Sequence, residues 1–540
     1  MIFFTKIVAK TSLFCYDLRM EIDIENLPKS SNALAAIIVD LDLKLRQQKN
    51  ELELSKSEII SYKEKYIRLL EEISLARQQR FSPSSEKNIH QADLFDEAGV
   101  ELPDEVKDQL VDDEIEIKGH TRKKHPVRRP LPKELPREVI LHDISPAEKI
   151  CGCGAHLVRI GEEITEQLKY IPAQLSVVQH VRPKYACKPC QETVRIAPMP
   201  LLLLPKSAAT PELIAHTIIA KYCDHLPLYR QESIWQRLEI DLPRSSLCGW
   251  VLKSAELCEP LIQSLRGEIV GHRYTQADET TVQVLDEVGR DNTTKSYMWC
   301  YRGGNLSQPS IIFEYQETRG GYHAQQFLRG FKGYLQTDAY AGYNWVDDNQ
   351  DIISVKCMAH ARRPFAELAK LTKTPGMARE ALTFFAKLYR IEKEAREDHL
   401  SYDERHERRQ KYAPPILDAF KQWLDHQLPK TPEQSKIGKA IRYCLAHWQG
   451  LTNYLKDGSI EIDNNKIENV IRPFALGRKN WLFAGSPSGA KAGATLYSLI
   501  ETCKANNVEP YQYFCTMLHR IRLCKSDDDY RNLLPQFIQF

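Results

Sequence analysis

The clearest apolar pattern near the start of the chain is a heptad repeat. One apolar position recurs every seven residues, at Ile38, Leu45, Leu52, Ile59, Tyr66 and Ile73. A second position, interrupted by the polar residues Gln48 and Ser55, holds Leu34, Leu41, Tyr62, Leu69 and Ala76. Because neither Pro nor Gly breaks the repeat, we predict a coiled coil over residues 31–82 and self-association through it. A single amphipathic helix packed on its own chain is the alternative.

A helical pattern returns at residue 204. Thr210 followed by Pro211 is typical of a helix start, and the apolar run PELIAHTIIAKYC follows. The stretch LYRQESIWQRLEIDLPRSSLCGWVL then predicts a helix, a turn and a second helix that begins near Pro243, with Arg244 facing outward. We therefore interpret residues 204–266 as a helical module resembling a helix-turn-helix DNA reader, with Arg244 as a candidate DNA contact. The same shape also occurs in helical bundles that bind no DNA.

After Glu268 the pattern changes to short β-rich runs. HRYTQADETTVQVL, SYMWCYRG and PSIIFEY predict three strands, HAQQFLRGF a helix, and KGYLQTDAYAGY a fourth strand. This order matches a ribonuclease H-like α/β sheet, in which acidic residues lie on the first strand and at the end of the fourth, where Asp278 and Asp338 fall. We assign residues 267–365 and 446–490 to this catalytic domain, 366–445 to a helical insertion and 491–540 to a C-terminal helical segment.

Length and charge add detail to this multidomain α/β organisation. At roughly 150 residues per domain, 540 residues correspond to three or four modules after an N-terminal tail of residues 1–30. The net charge of +2 conceals an acidic stretch, Asp93–Glu116, followed by a basic one, Lys118–Arg137. Residues 83–136 thus form a predicted linker, acidic and then basic. Its cations either contact DNA phosphates or form a solvated charge run; they include Arg122, Lys123, Lys124, Arg128 and Arg129.

Cysteine spacing predicts a metal site in residues 137–203. The chain has 14 cysteines, and two close pairs occur in CGCGAH and CKPC. Four thiolates would hold one structural Zn²⁺ with no open coordination position; the predicted ligands are Cys151, Cys153, Cys187 and Cys190. His156 in place of one cysteine, or a set of unrelated buried thiols, are the alternatives.

Cellular location follows from what the sequence lacks. Scattered cysteines argue against a secreted disulfide scaffold. No apolar run approaches the roughly 18 residues that a membrane span needs. We expect a cytoplasmic protein without a signal peptide, and we expect residues 1–19 to be upstream sequence translated ahead of Met20.

Three acidic residues are the candidate catalytic groups. An aspartate at a strand end is usually turn chemistry, and Glu468 alone, one turn before Arg472, would be an exposed ion pair. Taken together, however, carboxylates about 4 Å apart repel by roughly 4 kcal/mol per pair at an effective dielectric of 20. Such a group needs cations, and hard oxygen ligands select Mg²⁺ or Mn²⁺. Asp278, Asp338 and Glu468 are therefore predicted to hold two divalent ions for phosphoryl transfer.

Basic residues flank these acids on both sides and are candidate DNA contacts. They are His360, Arg362, Arg363, Arg472, Arg478 and Lys479. Trp481 lies close by and either offers a base-stacking surface or belongs to the core.

Four blocks, TQADETTVQVL, QTDAYAGYN, AHARRPF and NNKIENVIRPFALGRKNWLFAGS, resemble the signature sequences of insertion sequence 66 family transposases. The resemblance covers nearly all of the chain after Met20. It implies a DDE triad of Asp278, Asp338 and Glu468 with a helical insertion before the third acid. It also implies terminal inverted repeats as substrate and accessory proteins from the same element. Pro364 stands where a further basic residue is expected, which leaves the grip on DNA open.

These observations predict a metal-dependent transposase that cleaves and joins DNA at the ends of an insertion sequence. One alternative is a catalytically inactive DNA-binding or assembly protein of a mobile element. Another is a ribonuclease H-like nuclease acting on hybrids or junctions, which would not need a dimerising arm. Substrate competition separates the nuclease from the transposase.

Overall fold

The computed structural model describes residues 30, 32, 39–40, 42–59, 61–62, 66, 139, 175–186, 194–205, 207–371 and 376–540. The four predicted zinc ligands, the linker 83–136 and much of the predicted coiled coil lie outside these residues. Residues 42–59 are helical, and Leu45, Leu52 and Ile59 are each more than half exposed. No helix among the described residues is long and apolar enough to cross a membrane.

The chain divides into two compact units, Pro103–Leu202 and the remainder. The described part of the smaller unit is an antiparallel hairpin of β1 (Lys184–Ala186) and β2 (Val194–Ile196). Predicted ligands Cys187 and Cys190 fall between these strands in the chain. Among the described residues of the predicted module 137–203, these two short strands are the β structure, and the flanking residues 175–183 and 197–203 are not in strands.

In the larger unit, the part of the chain after Leu202 starts with four helices packed around one core. Pro211 opens the first helix, where its missing N–H costs no hydrogen bond. The turn between the second and third helices is tied by the Glu232 carboxylate, which accepts the Arg244 backbone N–H at 2.8 Å. Trp235 and Leu247, one on each of these helices, are buried. The helices are α1 (Pro211–Tyr222), α2 (Leu228–Arg237), α3 (Arg244–Leu257) and α4 (Glu259–Val270).

A five-stranded mixed sheet follows, with strand order β5-β4-β3-β6-β7. The first three strands form an antiparallel meander, and β6 and β7 add in parallel beside β3. Helix α5 (Tyr322–Phe327) makes the connection from β5 to β6. The strands are β3 (Tyr274–Gln283), β4 (Lys295–Asn305), β5 (Gln308–Gln316), β6 (Gly333–Thr337) and β7 (Ile352–Lys356).

The chain from the end of β7 to about residue 462 contributes most of a second hydrophobic core, and this part of the chain contains the predicted helical insertion. Phe365, Phe385 and Phe420 pack together there. The first of its helices starts at Met358 and continues to Leu371, so the predicted boundary at residue 365 falls inside a helix. The helices are α6 (Met358–Leu371), α7 (Met377–Glu397), α8 (Tyr402–Gln427), α9 (Lys436–Ala446) and α10 (Trp448–Thr452).

The remaining helices return to the sheet. α11 (Asn465–Trp481) packs on β3, and α12 (Pro487–Ala505) covers the edge strand β5. The hydroxyl oxygens of Ser498 and Thr502 accept the backbone N–H groups of Phe313 and Ile311 at 2.8 and 3.1 Å. Side chains thus satisfy the exposed edge that a further strand would otherwise pair with. The chain ends with α13 (Pro510–Arg520) and α14 (Asp527–Asn532).

Candidate active site

The first two predicted acids lie on neighbouring parallel strands. Gln276 of β3 pairs in register with Gln336 of β6. Two residues further along each strand stand Asp278 and, directly after the end of β6, Asp338. Side chains two residues apart share one face of a sheet. The Gln276 amide donates to the Gln336 side-chain oxygen at 2.9 Å, so the two glutamine side chains lie on the same face of the sheet. The register therefore places both aspartates at the same level.

Backbone N–H groups orient both aspartates. One oxygen of Asp278 accepts the N–H of Glu279 at 2.8 Å, and one oxygen of Asp338 accepts the N–H of Tyr340 at 3.0 Å. These two hydrogen bonds fix the orientation of one oxygen of each carboxylate.

Two fully buried glutamines bring the third segment across these strands. The Gln336 amide donates to the Glu461 carbonyl at 2.8 Å, and the Gln276 amide donates to the Asp463 carbonyl at 3.3 Å. The Asn464 amide donates back to the sheet, at 3.4 Å from the carbonyl oxygen of Ala277. Helix α11 starts directly after this segment, so its first turn carries Glu468 toward the aspartates.

The buried glutamines were missed by sequence reasoning. Their signal is a repeated Q-x-D pattern, Gln276 before Asp278 and Gln336 before Asp338. A buried side-chain amide usually needs hydrogen-bond partners, and the amide nitrogens of Gln276 and Gln336 and the side-chain oxygen of Gln336 have them. Here those hydrogen bonds join three chain segments.

Electrostatics couple the three acids. Burial raises the pKa of Asp278 well above its ordinary value, and negative charge on Glu279, Asp338 and Glu468 raises it further. Burial also raises the pKa of Glu468 to about 7, with Asp463 and Asp338 adding to the rise while Arg363 and Arg472 oppose it. Acids whose pKa values are raised in this way are costly to ionise, and binding of a cation lowers the free energy of their ionised forms.

Glu468 has close neighbours on helix α6. One of its oxygens lies 3.6 Å from His360 Nδ1, and the other lies 3.7 Å from an Arg363 guanidinium nitrogen. Both distances exceed a good hydrogen bond. His360 Nδ1 and Glu468 Oε1 are buried and have no hydrogen-bond partner among the described residues. Burial and Arg363 lower the pKa of His360 to about 4, so its imidazole is neutral.

Cys357 completes a compact group with these residues. Ligand atoms of Cys357, His360 and Glu468 all lie within 4.8 Å of one another. The thiol is fully buried, and burial raises its pKa well above the ordinary value. Its sulfur accepts the Asn464 backbone N–H at 3.2 Å, close to the start of α11. We interpret Cys357 as a support for that helix start, because a protonated thiol is a poor ligand for a hard cation.

The other predicted DNA contacts differ in their surroundings. Arg478 donates to the backbone carbonyl of Thr281, so it ties α11 to β3. The positive charge of Arg472 favours the ionised form of Glu468 and so opposes the rise of its pKa. Lys479 and Arg244 are exposed. Arg362, like its neighbours on α6, is partly buried.

A second acid beside Asp278 was also missed. Glu279 has a fully buried side chain and accepts hydrogen bonds from Arg319 at 2.7 Å and from the Tyr343 hydroxyl at 2.8 Å. The Arg319 guanidinium stacks over the Tyr340 ring, 3.7 Å from its centroid. The Tyr340 backbone N–H also donates to the Asp338 carboxylate. Glu279, Arg319 and Tyr340 therefore link β3 to the loop after β6.

The site fits a hard cation. It offers carboxylate oxygens from three chain segments, and one of these oxygens, Glu468 Oε1, is buried without a hydrogen-bond partner among the described residues. Negative charge on neighbouring acids raises the pKa of Asp278 and of Glu468, although Arg363 and Arg472 partly offset the rise at Glu468. The broad class of protein is therefore one with a mixed α/β domain that carries one acid within β3 and another directly after the parallel strand β6.

Comparison with known sequences gives the family. The profile described as Transposase IS66 family matches residues 206–492, which is more than half of the chain. The zinc-finger binding domain of transposase IS66 matches residues 148–191, a range that includes all four predicted zinc ligands. The chain belongs to the IS66 transposase family, as the sequence resemblance indicated, and DNA is the partner that these domains imply.

Two further family segments match at either end. Transposase C of IS166 homeodomain matches residues 68–140, and the IS66 C-terminal element matches residues 498–536. The first of these lies almost wholly outside the described residues. The second contains the C-terminal part of α12 together with α13, which packs on α1, and α14, which packs on α4.

Related proteins occur in Sinorhizobium fredii (strain NBRC 101917 / NGR234). The uncharacterized protein y4jD is 35% identical over 403 residues, 72% of this chain and 78% of the relative. The uncharacterized protein y4hP is 30% identical over 505 residues, 90% of this chain and 86% of the relative. Their names state no activity.

Proposed function

We propose that this chain is a DDE-type DNA transposase that cleaves and joins DNA at the terminal inverted repeats of an insertion sequence. The observation that carries the proposal is the coupling of Asp278, Asp338 and Glu468, whose negative charges act on one another across three chain segments. The strand order β5-β4-β3-β6-β7, with the acids on β3 and after β6, supports a ribonuclease H-like catalytic domain.

Asp278, Asp338 and Glu468 would hold two Mg²⁺ or Mn²⁺ ions. Such ions lower the pKa of an attacking water or hydroxyl and stabilise the leaving oxygen of an in-line displacement. The protein supplies the geometry. The N–H groups of Glu279 and Tyr340 fix one oxygen of each aspartate, and the two glutamines fix the start of the helix that carries Glu468.

DNA contacts are proposed for the basic residues around this site and in the helical module. His360 and Arg363 already face Glu468, so they are best placed to contact a phosphate next to that acid. The full set is Arg244, His360, Arg362, Arg363, Arg472, Arg478 and Lys479. A structural Zn²⁺ held by the four cysteines and pairing through the exposed heptad positions complete the proposal.

The decisive experiment incubates the full-length protein and Mg²⁺ with DNA carrying the inverted-repeat ends of its element. The wild-type protein is expected to release 3′ hydroxyl ends and to join them to target DNA. Asp338→Asn should lose both reactions while keeping its fold and DNA binding. Asp348→Asn, an exposed aspartate in the loop before β7, is the matched control and should remain active.

Two results would contradict the proposal. Strand transfer at the wild-type level by Asp338→Asn would remove that residue from the catalytic site. Specific binding of the ends by the wild-type protein, with no cleavage in Mg²⁺ or Mn²⁺, would favour the inactive DNA-binding or assembly protein. Competition by RNA–DNA hybrids or junctions would instead favour the nuclease.

A further inference from the structure

Helix α11 ends in a turn that holds a leucine in an unfavourable backbone conformation. Leu482 has φ 65° and ψ −53°, and the N–H of Phe483 donates to the Trp481 carbonyl at 2.8 Å. This combination is a γ-turn with positive φ at its centre, which is rare and strained for a residue with a side chain. Glycine would adopt it at lower cost, so backbone preference does not account for leucine here.

Both sides of this turn are tied to strand β3. Before it, the Arg478 guanidinium donates to the Thr281 carbonyl. After it, the Ala484 N–H donates to the Gln283 carbonyl at 3.0 Å, and the Ala484 carbonyl accepts the Leu285 N–H at 2.9 Å. The turn is therefore a rigid projection from the sheet.

The turn displays apolar side chains to solvent. Leu482 is 62% exposed and Phe483 is 44% exposed. Trp481, in contrast, packs edge-to-face on the buried ring of Phe474 at 5.5 Å, so the aromatic residue named from the sequence is largely a core residue. Lys479, about one helical turn before the projection, is exposed. An apolar tip beside a cation is thus the local surface.

This surface shares both of its supporting elements with the candidate active site. On β3, Asp278 precedes Gln283 by five residues, or roughly 17 Å at about 3.3 Å per residue. On α11, Glu468 precedes Trp481 by 13 residues, or roughly 20 Å at 1.5 Å per residue. At about 3.4 Å per nucleotide, the projection lies on the order of five base steps from the acids.

We propose that Leu482 and Phe483 form a wedge that inserts between bases of the substrate DNA about five steps from the scissile phosphate. The inference rests on the proposed DNA-cleaving function. A nucleobase fits this tip because its flat face stacks on an aromatic ring, and Lys479 is placed to contact the neighbouring phosphate. A rigid turn suits this role because its backbone loses little conformational freedom when the two side chains insert.

The test places 2-aminopurine, in turn, at each position around the scissile phosphate of a duplex carrying the element's end. With wild-type full-length protein, fluorescence should change at one position or two adjacent positions. Phe483→Ala should lose that change and bind the end more weakly by on the order of tenfold, the usual effect of removing one base-stacking side chain. Leu523→Ala, which removes another exposed leucine, is the matched control and should behave as wild type.

Two further measurements separate a wedge from a structural role. Phe483→Ala should also cleave the fully paired end more slowly than the wild type. A mismatch at the affected position should restore its cleavage, because the bases there no longer need to be separated. Leu482→Gly should keep or raise the melting temperature, since glycine accepts this turn, and yet lose the fluorescence change.

Fluorescence changes that persist in both variants would overturn the wedge, and so would a mismatch that fails to restore cleavage. These results require a wild-type protein that cleaves. If the wild-type protein cleaves no end, the proposed function itself is refuted and the wedge falls with it.

Discussion

Two groups of buried carboxyl groups differ in their surroundings, one in the candidate active site and one in the helical insertion. In the insertion, Glu392 is almost fully buried and accepts hydrogen bonds from Arg405 and Arg409 at 2.7 to 2.9 Å. Arg409, itself fully buried, also donates to the carbonyl oxygens of Tyr454 and Ile460. These three buried charges are therefore paired with one another.

The pKa values of the acids follow this difference. Glu461 lies beyond the insertion but pairs with Arg405 of it; burial alone would raise its pKa, but Lys466 and Arg405 outweigh burial and lower the pKa to about 2. In the candidate site, burial and neighbouring acids raise the pKa of Asp278 and Glu468 instead. An acid paired with arginine at hydrogen-bond distance stabilises the fold. The active-site acids, which raise one another's pKa and are called the uncompensated group below, instead favour the binding of a cation from outside the protein.

The largest effect is expected when the uncompensated group is changed. Asp278→Asn should reduce Mg²⁺-dependent cleavage by on the order of 10³-fold or more, because groups that act as one unit lose most of their activity together. Its metal-free stability should equal or exceed that of the wild type, since one repelling charge is removed. Cleavage assays paired with urea unfolding check both parts. A variant that is inactive because it unfolds would contradict the contrast drawn here.

The opposite result is expected in the insertion. Glu392→Gln should lower the free energy of unfolding by about 3–5 kcal/mol, because the fully buried Arg409 would lose its carboxylate partner, whereas Arg405 keeps Glu461. Urea unfolding measures this. Glu394→Gln on the same helix is the matched control, since its partner Arg408 and its own carboxylate are partly exposed, and its cost should stay under about 1 kcal/mol. Equal costs for the two variants would show that burial of the ion pair is unimportant.

A smaller effect is expected from pH in the metal-free protein. Because the pKa of Glu468 rises from 4.5 to about 7 on folding, its protonated form contributes stability that is complete below pH 4.5 and is lost as the pH rises through about 7. The stability difference between wild type and Glu468→Gln should therefore change by about 3 kcal/mol over this window. Urea unfolding at a series of pH values measures it. A constant difference would show that Glu468 ionises as an ordinary surface acid.

Parts of this arrangement follow directly from local sequence. Pro211 marks a helix start, and residues 42–59 are helical where the heptad repeat predicts it. Asp278 and Asp338 could be placed on neighbouring strands because β-rich runs and their order are visible in the chain. The mixed α/β class is confirmed, and so is the family.

Other parts could not be predicted because they depend on distant contacts. Helix α8 continues through Pro414 and Pro415, where local rules predict a break. The C-terminal residues appear as a separate helical segment in the sequence, but α12 covers the edge of β5 through Ser498 and Thr502.

Sequence by itself determined the family, the two strand-borne acids and the types of residue available to bind metal and DNA. Tertiary structure decided which basic residues face Glu468 and how the third acid reaches the other two. The physical reason is separation along the chain: Glu468 comes 130 positions after Asp338. Much of the intervening chain forms a second core, and buried hydrogen bonds, among them those of Gln276 and Gln336, fix where the chain returns. Such long-range contacts leave no periodic pattern in the sequence.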